Sequence, residues 1–289
     1  MLRRKIAAAA IAVATAFGST FAITPEAQAQ DVAALIASPN VTKCSEEFLI
    51  AVPGGGTTFS FLPEKAPVGA KVTEVATDVY YRTGGRIQPV WIAYPSVPFL
   101  VMSYKDSSAK GYEKAASTMR RLANMCPNAK FSITGYSEGA DIGAQLINNI
   151  SHGRGPIPAE KFTKAALISN PRLGDNGGVF AMGATAEHRG GLETPPGGYG
   201  ELGSRTMDLC FVDDSVCALP EEWRAHVSPV VRSATFRGEF ALSHFVSIIM
   251  QTAPHTLPDL VGLYNHTQYG TPAFNTAVNW ILQREVRED

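Results

Sequence analysis

Phe131-Ser-Ile-Thr-Gly-Tyr-Ser-Glu-Gly-Ala-Asp141 combines a G-x-S-x-G pentapeptide with a β-type run before it and a helix-type run after it. A serine on such a sharp strand-to-helix turn adopts strained dihedrals, so the residues two positions to either side must lack bulk. Gly135 and Gly139 meet that requirement. The turn would lift the Ser137 hydroxyl above the sheet edge and leave the backbone N–H of Glu138 at a helix N-terminus. The pattern therefore predicts a nucleophilic serine, although Gly- and Ser-rich chains also produce it by chance.

Length and charge narrow the class of protein. The chain has 289 residues, 45% of them hydrophobic, which is enough for one large α/β core. Its 25 basic and 26 acidic residues leave a formal net charge of -1, so nothing indicates a polyanionic partner such as nucleic acid. We expect a monomer with a single domain, 30–289, that carries insertions near 171–206 and 219–262.

Residues 1–29 have the three parts of a secretory signal peptide. Arg3-Arg4-Lys5 is basic, Ile6–Ile23 is an Ala-rich apolar run, and Ala27-Gln-Ala29 is a small-x-small cleavage sequence. The pattern predicts export, with the mature protein secreted or held in the cell envelope. An uncleaved membrane anchor is the alternative, because the apolar run is almost long enough to span a bilayer.

Four cysteines in a chain predicted to be exported favour two disulfides, with three alternative pairings. Cys210 and Cys217 are close enough for a local loop, which would leave Cys44 to pair with Cys126. A zinc site is the rival interpretation, but the sequence has no C-x-x-C pair and no matching histidine spacing. We therefore expect neither a metal nor another cofactor.

Strand-type and helix-type segments alternate along the chain. The predicted strands are Glu47–Val52, Ile87–Tyr94, Phe131–Thr134 and Lys164–Ser169, and the predicted helices are Val68–Tyr81, Ser107–Met125, Asp141–Ile150 and Ala273–Arg284. Such alternation predicts a parallel sheet with right-handed crossovers. Asn170–Ser204 is rich in glycine and has little periodicity, so we predict a loop inside the domain that buries no core.

A glycine-rich turn, Pro53-Gly-Gly-Gly-Thr-Thr58, follows the first predicted strand. Backbone N–H groups in such a turn can approach a substrate oxygen. A phosphate-binding loop would need G-K-[ST] at its end, which this sequence lacks. A plain structural turn is the remaining alternative.

A nucleophilic serine requires a histidine and a carboxylate elsewhere in the chain. Asp213 and Asp214 lie between the cysteines of the predicted local loop, which would hold a carboxylate in one orientation, and the spacing does not choose between them. The histidines that follow are His226, His244, His255 and His266. Only the last stands just before a turn and a terminal helix, a position that favours His266 as the base.

Three motifs in this order carry a resemblance to a known family. They are Gly135-Tyr-Ser-Glu-Gly139, Cys210-Phe-Val-Asp-Asp-Ser-Val-Cys217 and His266-Thr-Gln-Tyr-Gly270. The chain resembles the cutinase family of secreted serine esterases, most of all the cutinase-like lipid hydrolases of actinobacteria that contain mycolic acids. The resemblance extends from Cys44 to the C-terminus. It implies an α/β-hydrolase fold, a three-layer sandwich around a central parallel sheet.

The resemblance also assigns residues. It implies three catalytic residues, the nucleophile Ser137, the carboxylate Asp214 and the base His266, and disulfides that join Cys44 to Cys126 and Cys210 to Cys217. The oxyanion would be held by the backbone N–H of Glu138 and by one from Gly56 or Thr57. The family often has glutamine after the serine, whereas a carboxylate at Glu138 would disfavour the oxyanion unless it points away.

The expected substrates are esters of long acyl chains in the cell envelope: mycolate esters such as trehalose mycolates, phospholipids or acyl thioesters. The resemblance implies them, and the apolar stretch 236–250 supports them as a lid or acyl-chain wall, or alternatively as an ordinary buried helix. A membrane or envelope surface is then a natural partner. A catalytically silent acyl-lipid-binding protein, or an acyl transferase with the same triad, is the alternative.

Overall fold

The computed structural model describes residues 40–96, 102–219, 221, 262 and 264–283. The signal segment 1–29 and the apolar stretch 236–250 lie outside the described residues, as do His226, His244 and His255, and what the sequence predicts for them stays a prediction. All described residues except Asn40 belong to one unit, Val41–Asp289.

Within the described ranges, six strands form one sheet in which every neighbouring pair is parallel. The strands are β1 (Glu47–Val52), β2 (Ile87–Trp91), β3 (Lys130–Tyr136), β4 (Phe162–Ile168), β5 (Val179–Ala181) and β6 (Thr206–Leu209), in the spatial order β2-β1-β3-β4-β6-β5. The predicted parallel sheet is confirmed. Its carboxyl-terminal edge, where ligand sites of such sheets lie, carries the loops discussed below.

Helices cover both faces of the sheet. They are α1 (Ala70–Arg82), α2 (Tyr104–Met125), α3 (Glu138–Ser151) and α4 (Thr271–Leu282). Alternate residues of β1 point to opposite faces: Phe48 and Ile50 pack in the core under α2 and α3, whereas Leu49 and Ala51 pack in the core under α1 and α4. This arrangement confirms the predicted three-layer sandwich, and it explains why β1 is apolar at nearly every position.

The glycine-rich segment Asn170–Ser204 contributes to the core, so the prediction that it buries none is wrong. It contains the edge strand β5, and Leu173, Tyr199 and Leu202 within it are completely buried. A three-residue strand is too short to show a period in the sequence. The burial of Tyr199 depends on β6, because its hydroxyl donates to Asp208 Oδ2 at 3.0 Å.

Candidate active site

Ser137 stands at the tip of the turn between β3 and α3. Its dihedrals, φ 55° and ψ -120°, lie outside the regions that side chains usually adopt. The turn is possible because its flanking residues have no side chain. A Cβ on Gly135 would lie 2.8 Å from Ala140 N, and one on Gly139 would lie 2.6 Å from Pro53 O. The two glycines of the pentapeptide thus bring α3 against the sheet directly behind the serine.

His266 lies beside this serine, with Nε2 3.0 Å from Ser137 Oγ. Its ring stacks on Tyr136 with the centroids 5.1 Å apart, and the Tyr136 hydroxyl donates to the His266 carbonyl at 2.7 Å. From α1, Lys71 Nζ donates to the carbonyl of Thr267 at 2.7 Å. His266, the last helical residue before a turn, is therefore attached both to the residue before the serine and, through the turn, to the neighbouring helix.

Of the two candidate aspartates, Asp214 faces the histidine. It is completely buried, and its Oδ2 lies 3.2 Å from His266 Nδ1. Its other oxygen accepts from Val216 N at 2.9 Å. Asp213 is exposed. The structure thus brings Ser137, His266 and Asp214 into one hydrogen-bonded chain and leaves Asp213 outside it.

Ser169 is a member of this cluster that the sequence analysis missed. It follows β4 with φ 52°, completely buried. Its hydroxyl lies 2.5 Å from Asp214 Oδ2 and 2.8 Å from His266 Nδ1, closer to the imidazole than the carboxylate is. A hydroxyl has one proton, so Ser169 donates to Asp214 and accepts from His266. This leaves His266 Nε2 as an acceptor for the proton of Ser137.

Tyr269 is the second missed neighbour of the carboxylate. Its buried hydroxyl donates to Asp214 Oδ2 at 2.9 Å and accepts from Phe211 N at 2.9 Å. Burial, and then the charge of Asp214, raise the pKa of Tyr269, so it remains a donor at any physiological pH. The sequence contained a signal for Tyr269, since this tyrosine belongs to the His266-Thr-Gln-Tyr-Gly270 motif. For Ser169 the only signal was its position at the carboxyl end of a strand beside β3.

Ser169→Ala is expected to lower kcat for ester hydrolysis about 10- to 100-fold and to leave KM unchanged, because the imidazole would lose a hydrogen bond to a group linked to a charge. Steady-state kinetics on a soluble ester measure both constants. Ser132→Ala is the matched control, since it removes a buried hydroxyl from β3. An unchanged kcat in Ser169→Ala, with a control of equal activity, would show that Asp214 orients the imidazole without help.

Both disulfides that the family resemblance implies are present. Cys44 pairs with Cys126, with Cα atoms 5.5 Å apart, and joins the segment before β1 to the end of α2. Cys210 pairs with Cys217, with Cα atoms 6.0 Å apart, and closes the loop that carries Asp214. The second bridge encloses only a short loop, so its main consequence is local: it limits the positions that the carboxylate can take.

The N–H groups proposed for an oxyanion hole differ in availability. Glu138 is the first residue of α3, where backbone N–H groups have no partner within the helix. By contrast, Gly56 N donates to Ser96 O, and Thr57 N donates to Gly54 O at 3.3 Å. The loop after β1 folds back on Ser96, so these two predicted donors are occupied in this structure. That Gly56 or Thr57 supplies the second donor stays a prediction.

The comparisons with known proteins fit this geometry. The sequence profile of the cutinase family matches residues 62–245. The chain belongs to the cutinase family. The profile covers more than half of the chain and includes Ser137 and Asp214.

Among curated relatives of this cutinase-family chain, a carboxylesterase Culp6 homolog of Corynebacterium glutamicum is 32% identical over 141 residues, which are 41% of this chain and 45% of the relative. Carboxylesterase Culp1 of Mycobacterium tuberculosis is 28% identical over 156 residues, 53% of this chain and 63% of the relative. The chain thus spans about half the length of the curated relatives it matches.

Solved structures show the same fold. Lysin B from mycobacteriophage D29 superposes with a TM-score of 0.55 at 16% identity, over 83% of this chain and 100% of lysin B. At this identity the likeness concerns the fold alone. It agrees with the α/β-hydrolase architecture, in which a strand-to-helix turn carries the nucleophile.

Proposed function

We propose that this protein is a carboxylic ester hydrolase in which Ser137 is the nucleophile, His266 the base and Asp214 the orienting carboxylate. The observation that carries the proposal is the continuous contact from Ser137 Oγ through His266 to Asp214, at 3.0 Å and 3.2 Å, on a strained strand-to-helix turn. The two relatives described above, a carboxylesterase homolog of Corynebacterium glutamicum and a carboxylesterase of Mycobacterium tuberculosis, support it.

In this mechanism Ser137 Oγ attacks the ester carbonyl while its proton passes to His266 Nε2. The bond from carbon to the alcohol oxygen then breaks, and the imidazolium returns the proton to the leaving alcohol. Water attacks the acyl-enzyme by the same route and releases the acid. The backbone N–H of Glu138 stabilises the oxyanion in both halves, and Asp214 with Ser169 holds the imidazole in the tautomer that accepts at Nε2.

For the substrate we propose esters of long acyl chains from the cell envelope. Large apolar side chains are exposed on segments at the carboxyl-terminal edge of the sheet: Phe59 and Phe61 stack with centroids 5.7 Å apart after β1, and Val212 follows β6. Phe61 is 80% exposed. Exposed apolar surface of this kind suits a lipid or an aggregated substrate.

We also propose that the protein acts outside the cytoplasm. Its two disulfides need an oxidising compartment to persist, and the start of the sequence has the composition of an export signal. Among the residues that the structure describes, no helix is both long and apolar enough to cross a bilayer.

Two assays test the proposed function. Fluorophosphonate labelling of the purified chain should mark Ser137, and incubation with a lipid extract from a mycolate-containing envelope should deplete one lipid class with release of the matching free acid. The Ser137→Ala variant is the blank for both. Labelling without any lipid loss would support the proposed serine chemistry and contradict the proposed envelope-lipid substrate. Acyl transfer to an added acceptor in place of acid release would identify a transferase. Absence of both labelling and hydrolysis would favour the silent binding protein.

A further inference from the structure

The carboxyl group of Glu138 is buried directly behind the nucleophile. The residue is 2% exposed, and neither of its side-chain oxygens has a hydrogen-bond partner in the described part of the chain. A buried carboxylate without donors is costly, because it loses its hydration and gains nothing in return. The proposed mechanism uses only the backbone N–H of this residue and gives no reason for an acid at this position.

The two hydroxyls beside this carboxyl have already used their protons. The Tyr94 hydroxyl donates to Pro53 O at 2.7 Å, and the Ser107 hydroxyl donates to Pro95 O at 3.0 Å. A carbonyl cannot donate, so the direction of both bonds is determined. Toward Glu138 each hydroxyl offers a lone pair. A carboxylate would face two acceptors, whereas a protonated carboxyl could donate to either.

One helical turn further on, Asp141 has the opposite surroundings. It is also completely buried, but it accepts hydrogen bonds from four donors, which are the Tyr104 hydroxyl at 3.0 Å, the Ser108 hydroxyl at 2.8 Å, the Gln145 amide at 2.9 Å and the Arg172 guanidinium. The Arg172 guanidinium, the positive charge described at this part of α3, is thus bound to Asp141. On the same helix, these surroundings favour the ionised form of Asp141 and the neutral form of Glu138.

We propose that Glu138 works as a neutral carboxylic acid, which donates a hydrogen bond to the Tyr94 or Ser107 hydroxyl oxygen, and that loss of its proton to solvent turns hydrolysis off. The inference rests on the proposed function, since it names a regulation of the same site. The acid also connects the nucleophile turn to the loop after β1, because the Tyr94 hydroxyl that it would contact holds Pro53 O.

Ionisation of Glu138 would destabilise the transition state electrostatically. The oxyanion develops at the N–H of Glu138, so a negative charge on that residue's own side chain would oppose it across a buried, weakly screened distance. Burial raises the pKa of Glu138 to about 7, and the charge of Asp141 adds to the rise. The Ser107 and Tyr94 hydroxyls would lower this pKa only if they turned their protons from Pro95 O and Pro53 O toward the carboxylate. The change of charge therefore falls near neutral pH.

The described groups around Glu138 do not change charge in that range. Burial raises the pKa of both Tyr94 and Tyr104 well above 10. Burial opposes the charge of Arg172, but Asp141 holds the pKa of that guanidinium above its ordinary value. Among these described groups only Glu138 changes charge near neutral pH, so we assign the loss of activity on the alkaline side to its ionisation.

The test compares the dependence of kcat/KM on pH for hydrolysis of a short p-nitrophenyl ester by the full chain and by Glu138→Gln. We expect the parent to lose about 10- to 100-fold between pH 6 and 9 and the variant to show no alkaline loss. Glutamine keeps a donor toward the hydroxyls and cannot ionise. Glu113→Gln, at an exposed position of α2, is the control and should behave like the parent. Superimposable profiles for parent and Glu138→Gln would overturn the inference.

An infrared difference spectrum provides a readout that does not depend on catalysis. At pH 6 the parent should show the carbonyl stretch of a neutral carboxylic acid that is missing from Glu138→Gln, and the band should disappear as the pH rises to 9. If the parent hydrolyses no ester at any pH and resists fluorophosphonate, the proposed function fails, yet the band would still report the state of Glu138. Absence of the band in a folded parent would overturn the inference by itself.

Discussion

Ser137→Ala is expected to lower kcat/KM for ester hydrolysis about 10⁴- to 10⁶-fold, the loss seen when a complete triad loses its nucleophile. The physical reason is that no other described group combines a partly exposed position on a strained turn with a base at 3.0 Å. Kinetics on a soluble ester measure the loss, and fluorophosphonate labelling should disappear with it.

The double variant Ser137→Ala, His266→Ala makes this prediction sharper. Members of a triad act as a unit, so the second substitution should cost almost nothing once the first is in place. Substantial hydrolysis by Ser137→Ala, or a double variant that falls by the product of the two single effects, would contradict the assignment of nucleophile and base.

Asp214→Asn is expected to lower kcat about 10³- to 10⁴-fold with little change in KM. Oδ2 of Asp214 accepts from the Ser169 and Tyr269 hydroxyls and lies 3.2 Å from Nδ1 of His266, so three donor groups face it. An amide cannot satisfy all of them, because its NH₂ group would face one or more donors. The imidazole would then be free to adopt the tautomer that cannot accept the proton of Ser137.

Asp213→Asn is the matched control for this prediction, since it makes the same chemical change one residue away at an exposed position. Its kcat should equal that of the parent. Thermal unfolding of both variants separates loss of activity from loss of fold, because Asp214 is completely buried. A larger loss in Asp213→Asn than in Asp214→Asn would reverse the assignment that the geometry supports.

The exposed, stacked pair Phe59 and Phe61 and the buried acid behind the nucleophile have related consequences. The first favours substrates that present an apolar surface. The second makes the rate depend on whether Glu138 carries a proton. Together they describe an esterase whose activity would be highest on acyl lipids in a neutral to mildly acidic medium and would fall as the medium becomes alkaline.

Much of the fold was readable from local patterns. Glu47–Val52 was predicted with the bounds that β1 has, because a strand buried on both faces is apolar at nearly every position. The turn at Ser137 was readable because the glycines on either side of it meet a purely local demand of the backbone. The helices were placed to within a few residues, as expected where ends fray.

Other features depended on contacts between distant segments. The spacing of the sequence did not choose between Asp213 and Asp214, although the family resemblance implied Asp214. The position of Asp214 beside the imidazole follows from where the loop after β6 meets His266. Ser169 lies in the site because it follows β4, which pairs with β3 in the sheet. β5 was not predicted because three residues show no period. The hydrogen bond from Gly56 N to Ser96 O also joins segments that are distant in the chain, since Ser96 lies in the segment after β2.

By itself, the sequence determined the parallel α/β architecture, the nucleophile turn and the order of the three motifs, since these follow from backbone sterics and from apolar periodicity within short windows. Only the tertiary structure decided which carboxylate is oriented and which is exposed, which hydroxyls support the histidine, and that the acid behind Ser137 has no donor. The physical reason is that hydrogen-bond partners and burial are properties of packed neighbours, and those neighbours come from segments far apart in the chain.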